Sequence, residues 1–206
     1  MQQTMFTHRT TKESFASLVA LVTHPIVIGT LGLTTVVMQS VTGLSQQLFY
    51  LVLLTIITFL PAAFYLFVYF KGDIGEMLEL IEREARLIPY ILMIIGALGA
   101  IIVLDRLNAP RPILVMTLVL LANEVILGTL NFWTKVSIHT ATATFTSLTL
   151  GYLVSPYWYS LVFLVPLIGW ARVSRKRHTL QQVISGALFA AIISAAVLII
   201  ADRYIM

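Results

Sequence analysis

Seven apolar stretches, each 15 to 25 residues long, recur at roughly 15–39, 47–70, 88–105, 112–132, 139–154, 157–171 and 182–202. A bilayer core of about 30 Å takes about 20 helical residues to cross, so most of these runs match the membrane. Inside hydrocarbon every backbone N–H and C=O must be satisfied within the protein, which leaves only helices and closed barrels. Barrel strands would show alternating segments of about ten residues, and none occur. With 59% hydrophobic and 11% charged residues and a mean hydropathy of +0.94, the chain lies far outside soluble globular composition. The expectation is an all-α, polytopic transmembrane helix bundle of six to seven spans. The fifth and sixth stretches are short and separated only by "SP", so one of them is expected to cross at an angle or incompletely.

No repeat or low-complexity tract divides the sequence, and one integral-membrane domain over 1–206 is the economical reading. The start, MQQTMFTHRTTKES, has scattered charge and lacks a small-residue cleavage site, so no removable signal peptide is expected. Cysteine is absent, and with it any disulfide framework. A net charge of +4 suits basic loops; a nucleic-acid surface would need far more. The partners expected are membrane lipids.

Between the second and third stretches lies KGDIGEMLELIEREARLIP, about residues 71–89. Ile74, Met77, Leu78, Ile81, Ala85 and Ile88 recur at helical spacing, with charges on the other faces. This predicts an interfacial amphipathic helix. Alternating spans put the N-terminus, 71–88, 133–138 and 172–181 on one side. That side holds ten of the thirteen basic residues, against Arg106, Arg111 and Arg203 on the other. The positive-inside rule makes it cytoplasmic in a cell (inner) membrane, although an anion site would gather cations too.

Three polar clusters therefore meet one membrane face: the 71–89 segment, WTKVSIH at 133–139, and RVSRKRH at 172–178. Ionisable groups at span ends are where function concentrates in a membrane chain. His178 is followed one turn later by Gln182, which can hold one ring nitrogen and aim the other. An oriented neutral imidazole is a competent nucleophile toward phosphorus, and His139 could protonate the leaving oxygen. Arg172, Lys135 and Arg86, with Arg83 beside it, would cradle the nonbridging oxygens, and the Ser137 hydroxyl would add a donor. A basic cap that anchors the last span to lipid headgroups is the alternative for this cluster, and the better one for Arg175, Lys176 and Arg177.

The run R-x5-H-x3-Q leading into VISGALFAA, with SIH opening an earlier span, resembles the third and second signatures of the type 2 phosphatidic acid phosphatase superfamily. The likeness covers about 133–195, with a looser echo in 71–89. It implies a membrane lipid phosphatase that needs no metal or cofactor, acting on an isoprenoid or glycerolipid phosphate or diphosphate through a phospho-histidine. It also implies Arg172 and Ser137 as phosphate binders, His178 as nucleophile and His139 as general acid. Three departures stand out: Gln182 replaces the family's Asp, PSGH is reduced to VSIH, and the first signature survives on this face only as REARLIP. The Arg111–Pro112 pair falls on the opposite face. In a serine-protease triad the comparable Asp-to-amide change costs about 10⁴ in rate. Two rivals follow. One is a magnesium-dependent prenyl-diphosphate enzyme using Glu76, Glu79 and Glu82; the other is a non-catalytic membrane subunit that keeps the fold.

Elsewhere, His24 before Pro25 reads as structural, serving the carbonyl that the proline frees. Asn123, Glu124 and Asn131 are costly inside a span; Glu124 is expected to pair with a site Arg or to be protonated. Tyr152, Tyr157, Trp158 and Tyr159 form an interfacial belt. Gly186, Ala190 and Ser194 form a small-residue stripe for close helix packing.

Overall fold

The computed structural model describes residues 11–71 and 86–206. In chain order the elements are α1 (Thr11–Val22), α2 (Pro25–Ser40), α3 (Leu44–Leu54), a π turn (Thr55–Phe59), α4 (Leu60–Tyr69), α5 (Leu87–Arg106), α6 (Arg111–Leu130), α7 (Ile138–Leu153), a 3₁₀ helix (Pro156–Phe163), α8 (Leu164–Ser174) and α9 (Leu180–Tyr204). Among the described residues there is no strand. The protein is an all-α bundle, and among the described residues five stretches are long and apolar enough to cross a membrane: 11–40, 44–69, α5, α6 and α9.

The first stretch is not one straight helix. His24 is extended (φ −60°, ψ 141°) and caps α2, with Pro25 at its first position, where the missing proline N–H costs no helix bond. The chain turns there, and α1 packs against α8, with Phe15 and Trp170 5.8 Å apart. The short fifth and sixth stretches are also explained. α7 has 16 residues, of which 12 are buried, because α2, α8, α9 and the 3₁₀ helix surround it. A helix enclosed by protein is freed from the length that lipid contact imposes. Two of its hydroxyls are satisfied locally: Thr144 and Thr149 donate to the carbonyls four residues back, at 2.8 and 2.7 Å.

Lipid offers no hydrophobic drive between helices, so close packing and hydrogen bonds must hold the bundle. A Cβ on Gly186 would lie 2.5 Å from the Ser137 carbonyl oxygen, so only glycine lets α9 touch the start of α7. Asn123 of α6 donates to Ser194 Oγ of α9 at 3.1 Å. The outward faces stay apolar, as at Leu31, Ile95, Ile102 and Ile199. At the far end of α7 and α9 the Tyr152 hydroxyl donates to Asp202.

The expected interfacial helix at 71–89 lies mostly outside the described residues, and Arg83 with it. Its end does not: Ile88 and Pro89 belong to the first turn of α5.

Candidate active site

Four chain segments converge on one end of the bundle: the start of α2, the start of α5, the start of α7, and the turn joining α8 to α9. They bring His24, Arg86, His139, Arg172 and His178 to the wall of one cavity of about 420 Å³. Arg86, Arg172, His139 and His178 are all buried, at 3, 2, 5 and 7% exposure. Most of the remaining wall is apolar and descends between the helices through Leu33, Leu54, Met93 and Met116. The cavity thus has one cationic, imidazole-bearing end and a long hydrocarbon-like interior.

The geometry at His178 follows from local hydrogen bonding. Thr179 and Gln182 form a capping box at the start of α9: Gln182 N–H donates to Thr179 Oγ1 at 3.3 Å, and Thr179 N–H donates to Gln182 Oε1 at 3.1 Å. Because a backbone N–H can only donate, the amide atom facing it is the oxygen. That same oxygen lies 3.3 Å from His178 Nδ1. Nδ1 must therefore carry the proton, and Nε2 keeps its lone pair. Burial, then the neighbouring charges of Arg172, Arg86 and Lys135, hold the His178 pKa down to about 3, with the Gln182 bond opposing weakly. At neutral pH the ring is an uncharged base.

The rest of the cluster is tied together through backbone. Arg177 N–H donates to Arg172 O at 3.1 Å, closing the turn that carries His178 back toward Arg172. Ser137 N–H donates to Gln182 O at 3.1 Å, and Thr140 Oγ1 donates to Val183 O at 3.0 Å, so the starts of α7 and α9 are stitched side by side. Arg86 Nη1 donates to Val136 O at 3.4 Å, and burial lowers its pKa from the usual arginine value. Arg172, His178 and Arg86 all lie within electrostatic reach of His139.

Of the residues singled out from sequence, His178, His139, Arg172 and Arg86 line the cavity, whereas Ser137, Lys135 and Gln182 do not. Ser137 is fully buried, and its hydroxyl caps α7 by accepting from Thr140 N–H at 3.5 Å. Lys135 is half-buried and within electrostatic reach of Arg86, Arg172 and Arg177; burial and those like charges lower its pKa. Arg111 stands exposed at the start of α6, at the opposite end of that helix from the cluster. Among the described residues no group of three His, Asp or Glu side chains could hold a metal ion; Glu76, Glu79 and Glu82 lie outside them.

The sequence reading missed His24 as a member of this cluster. Its Nδ1 accepts from Ile26 N–H at 3.3 Å, and its ring meets that of His139 edge to face at 5.3 Å. The available signal was a lone ionisable side chain within an apolar stretch, which is a functional candidate by default.

Comparison with curated proteins and with solved structures finds no match. The family model of the PAP2 superfamily, in contrast, matches residues 86–205, which begin at the buried Arg86 and run through both histidine-bearing turns to the end of the last helix. That span is more than half of the chain, and the protein belongs to the PAP2 superfamily, which generally comprises phosphatases.

Proposed function

We propose that this protein hydrolyses a lipid phosphate or diphosphate of the isoprenoid or glycerolipid class at the cationic end of the cavity. The observation that carries the reading is the pairing, in one cavity, of three histidines and two arginines with a deep apolar interior. A lipid entering from the bilayer would keep its tail in hydrocarbon-like surroundings while its phosphate reaches Arg86 and Arg172. Two guanidiniums can hold nonbridging oxygens by forked, charge-assisted bonds, and the incoming dianion offsets the cost of burying them.

In this mechanism His178 Nε2 attacks phosphorus as the bond to the leaving oxygen breaks, and His139, which takes up a proton from solvent as the bound phosphate offsets the positive charges around it, gives that oxygen the proton. The phosphoryl group then sits on His178. A water that returns its proton to His139 attacks the phosphorus, releasing inorganic phosphate and restoring the imidazole. Gln182 acts on the nucleophile by holding Nδ1–H, and Lys135 adds positive potential. No cofactor is required, and the polar end faces the cytoplasm by its excess of basic residues.

Phosphate release by the purified protein over a panel of lipid phosphates, with and without EDTA, tests this. Turnover that survives chelation and falls by roughly 10³ or more in His178→Ala is expected, the scale for removing a nucleophile. Turnover abolished by EDTA would favour the magnesium-dependent enzyme, and no turnover on any lipid the non-catalytic subunit.

A further inference from the structure

Inward of the phosphate end, the apolar wall of the cavity is interrupted by several threonines and by two ionisable side chains that the mechanism does not use, Tyr90 of α5 and Glu124 of α6. Tyr90 is 6% exposed, and its hydroxyl is fully buried with no hydrogen-bond partner among the described residues. Glu124 sits mid-bundle, partly buried and in electrostatic reach of Tyr90, with no ion pair or hydrogen bond among the described residues. The base of the Tyr90 side chain packs on Gly128, where a Cβ would lie 3.2 Å from Tyr90 Cγ. Gly128 is one helical turn from Glu124 on the same face of α6, so the phenol and the carboxyl belong to one patch of wall.

A phenol and a carboxyl left without partners in an apolar cavity are costly for an empty or hydrocarbon-filled site. They are complementary to an alcohol, which can donate to the carboxyl oxygen and accept from the phenol. Tyr90 stands one turn, about 5 Å, along α5 from Arg86. A hydroxyl a few bonds from the phosphorus would reach it.

We infer that Tyr90 and Glu124 form a specificity subsite for a hydroxyl group close to the phosphate, so that the preferred substrate is a hydroxyl-bearing lipid phosphate such as a monoacylglycerol phosphate. An all-hydrocarbon prenyl phosphate would leave both groups unsatisfied. The inference rests on reading the cavity as a lipid-phosphate site and narrows the substrate class within it.

The test compares monooleoylglycerol phosphate with oleoyloxypropyl phosphate, which lacks only the free hydroxyl, and with farnesyl phosphate, using the full chain. The parent protein should prefer the hydroxylated lipid in kcat/KM by roughly tenfold to a hundredfold, the scale for leaving a buried polar group without its partner. Tyr90→Phe and Glu124→Met should each collapse the ratio between the first two lipids toward one. Equal rates on those two lipids in the parent, or a ratio that survives both substitutions, overturns the subsite while leaving the phosphatase reading intact. If no lipid phosphate is hydrolysed, the phosphatase reading fails instead. Thermal protection of the His178→Ala protein by the same two lipids then decides the subsite: greater protection by the hydroxylated lipid supports it, and equal protection overturns it.

Discussion

Gln182 holds His178 without a charge where the phosphatase signature it resembles implies an Asp, and its isosteric replacement by Glu isolates what that charge would do. Gln182→Glu keeps an oxygen at the same reach, so the bonds from Thr179 N–H and from His178 Nδ1–H, now 3.1 and 3.3 Å, persist. What changes is one negative charge beside the imidazole and at the N-terminus of α9, where the helix dipole favours it by about 0.3–1 kcal/mol. Over 3.3 Å, at an effective dielectric of about 20, the attraction to an imidazolium is about 5 kcal/mol, before the cost of desolvating the new carboxylate. An opposite charge at such range typically moves a pKa by about 1–3 units. His178, now held to about 3, should therefore titrate higher, roughly between 4 and 6, and the positive charge that develops as it attacks should be better stabilised. Gln182→Leu removes the acceptor altogether, and turnover should fall by roughly 10–10³, or ~1–4 kcal/mol. Thr179→Ala is the control. It weakens the same cap by about 0.5–2 kcal/mol but leaves the Gln182 oxygen on His178, so it should lower Tm with little change in rate. The assays are imidazole titration by NMR and phosphate release against pH. Equal turnover and an unmoved His178 titration in Gln182→Glu, with equal rate losses in Gln182→Leu and Thr179→Ala, would show that Gln182 only caps α9.

The remaining expectations use other parts of the site. Gly186→Ala should destabilise the bundle by about 1–3 kcal/mol and lower turnover, because the new methyl meets the Ser137 carbonyl at 2.5 Å. Gly29→Ala, whose Cβ would meet only Thr142 Cγ2 at 4.0 Å, should change Tm little; equal Tm losses in the two variants would refute the close-approach argument. Arg86→Ala should weaken substrate binding more than Lys135→Ala, since only Arg86 lines the cavity, and KM values for one lipid phosphate would show the reverse if the assignment fails. Because the folded-state pKa of His178 is depressed, the unfolded state binds more protons between about 6.5 and 3. Stability should therefore decline as pH falls through that window, and less so in His178→Gln; parallel Tm–pH curves for the two proteins would refute this.

Sequence alone determined the solvent this chain folds in, because apolar runs of bilayer length leave the backbone no choice but helices. It also determined that Arg172, His178 and Gln182 share one turn and its helix start, since their spacing is local. The Thr179–Gln182 capping box was not read from the sequence, and the two jobs of Gln182 became apparent only when its oxygen was found between two donors. The span count was harder to read. α7 is short because neighbours enclose it, and the first stretch is two helices because His24 leaves the helical conformation before Pro25. Enclosure and chain direction depend on what packs where, which no window of sequence records.

The same limit governs the site. Tertiary structure decided that Arg86 reaches the cavity while Ser137 and Lys135 do not line it, and that His24, more than a hundred residues from His139, lies against its ring. It also put Tyr90 beside Glu124 on neighbouring helices. Periodicity fixes which face of its own helix a side chain occupies. Which helix that face meets is set by small-residue contacts such as Gly186 on Ser137 and Gly128 on Tyr90. In a lipid solvent those contacts, rather than the aversion of apolar surface to water, choose the neighbours.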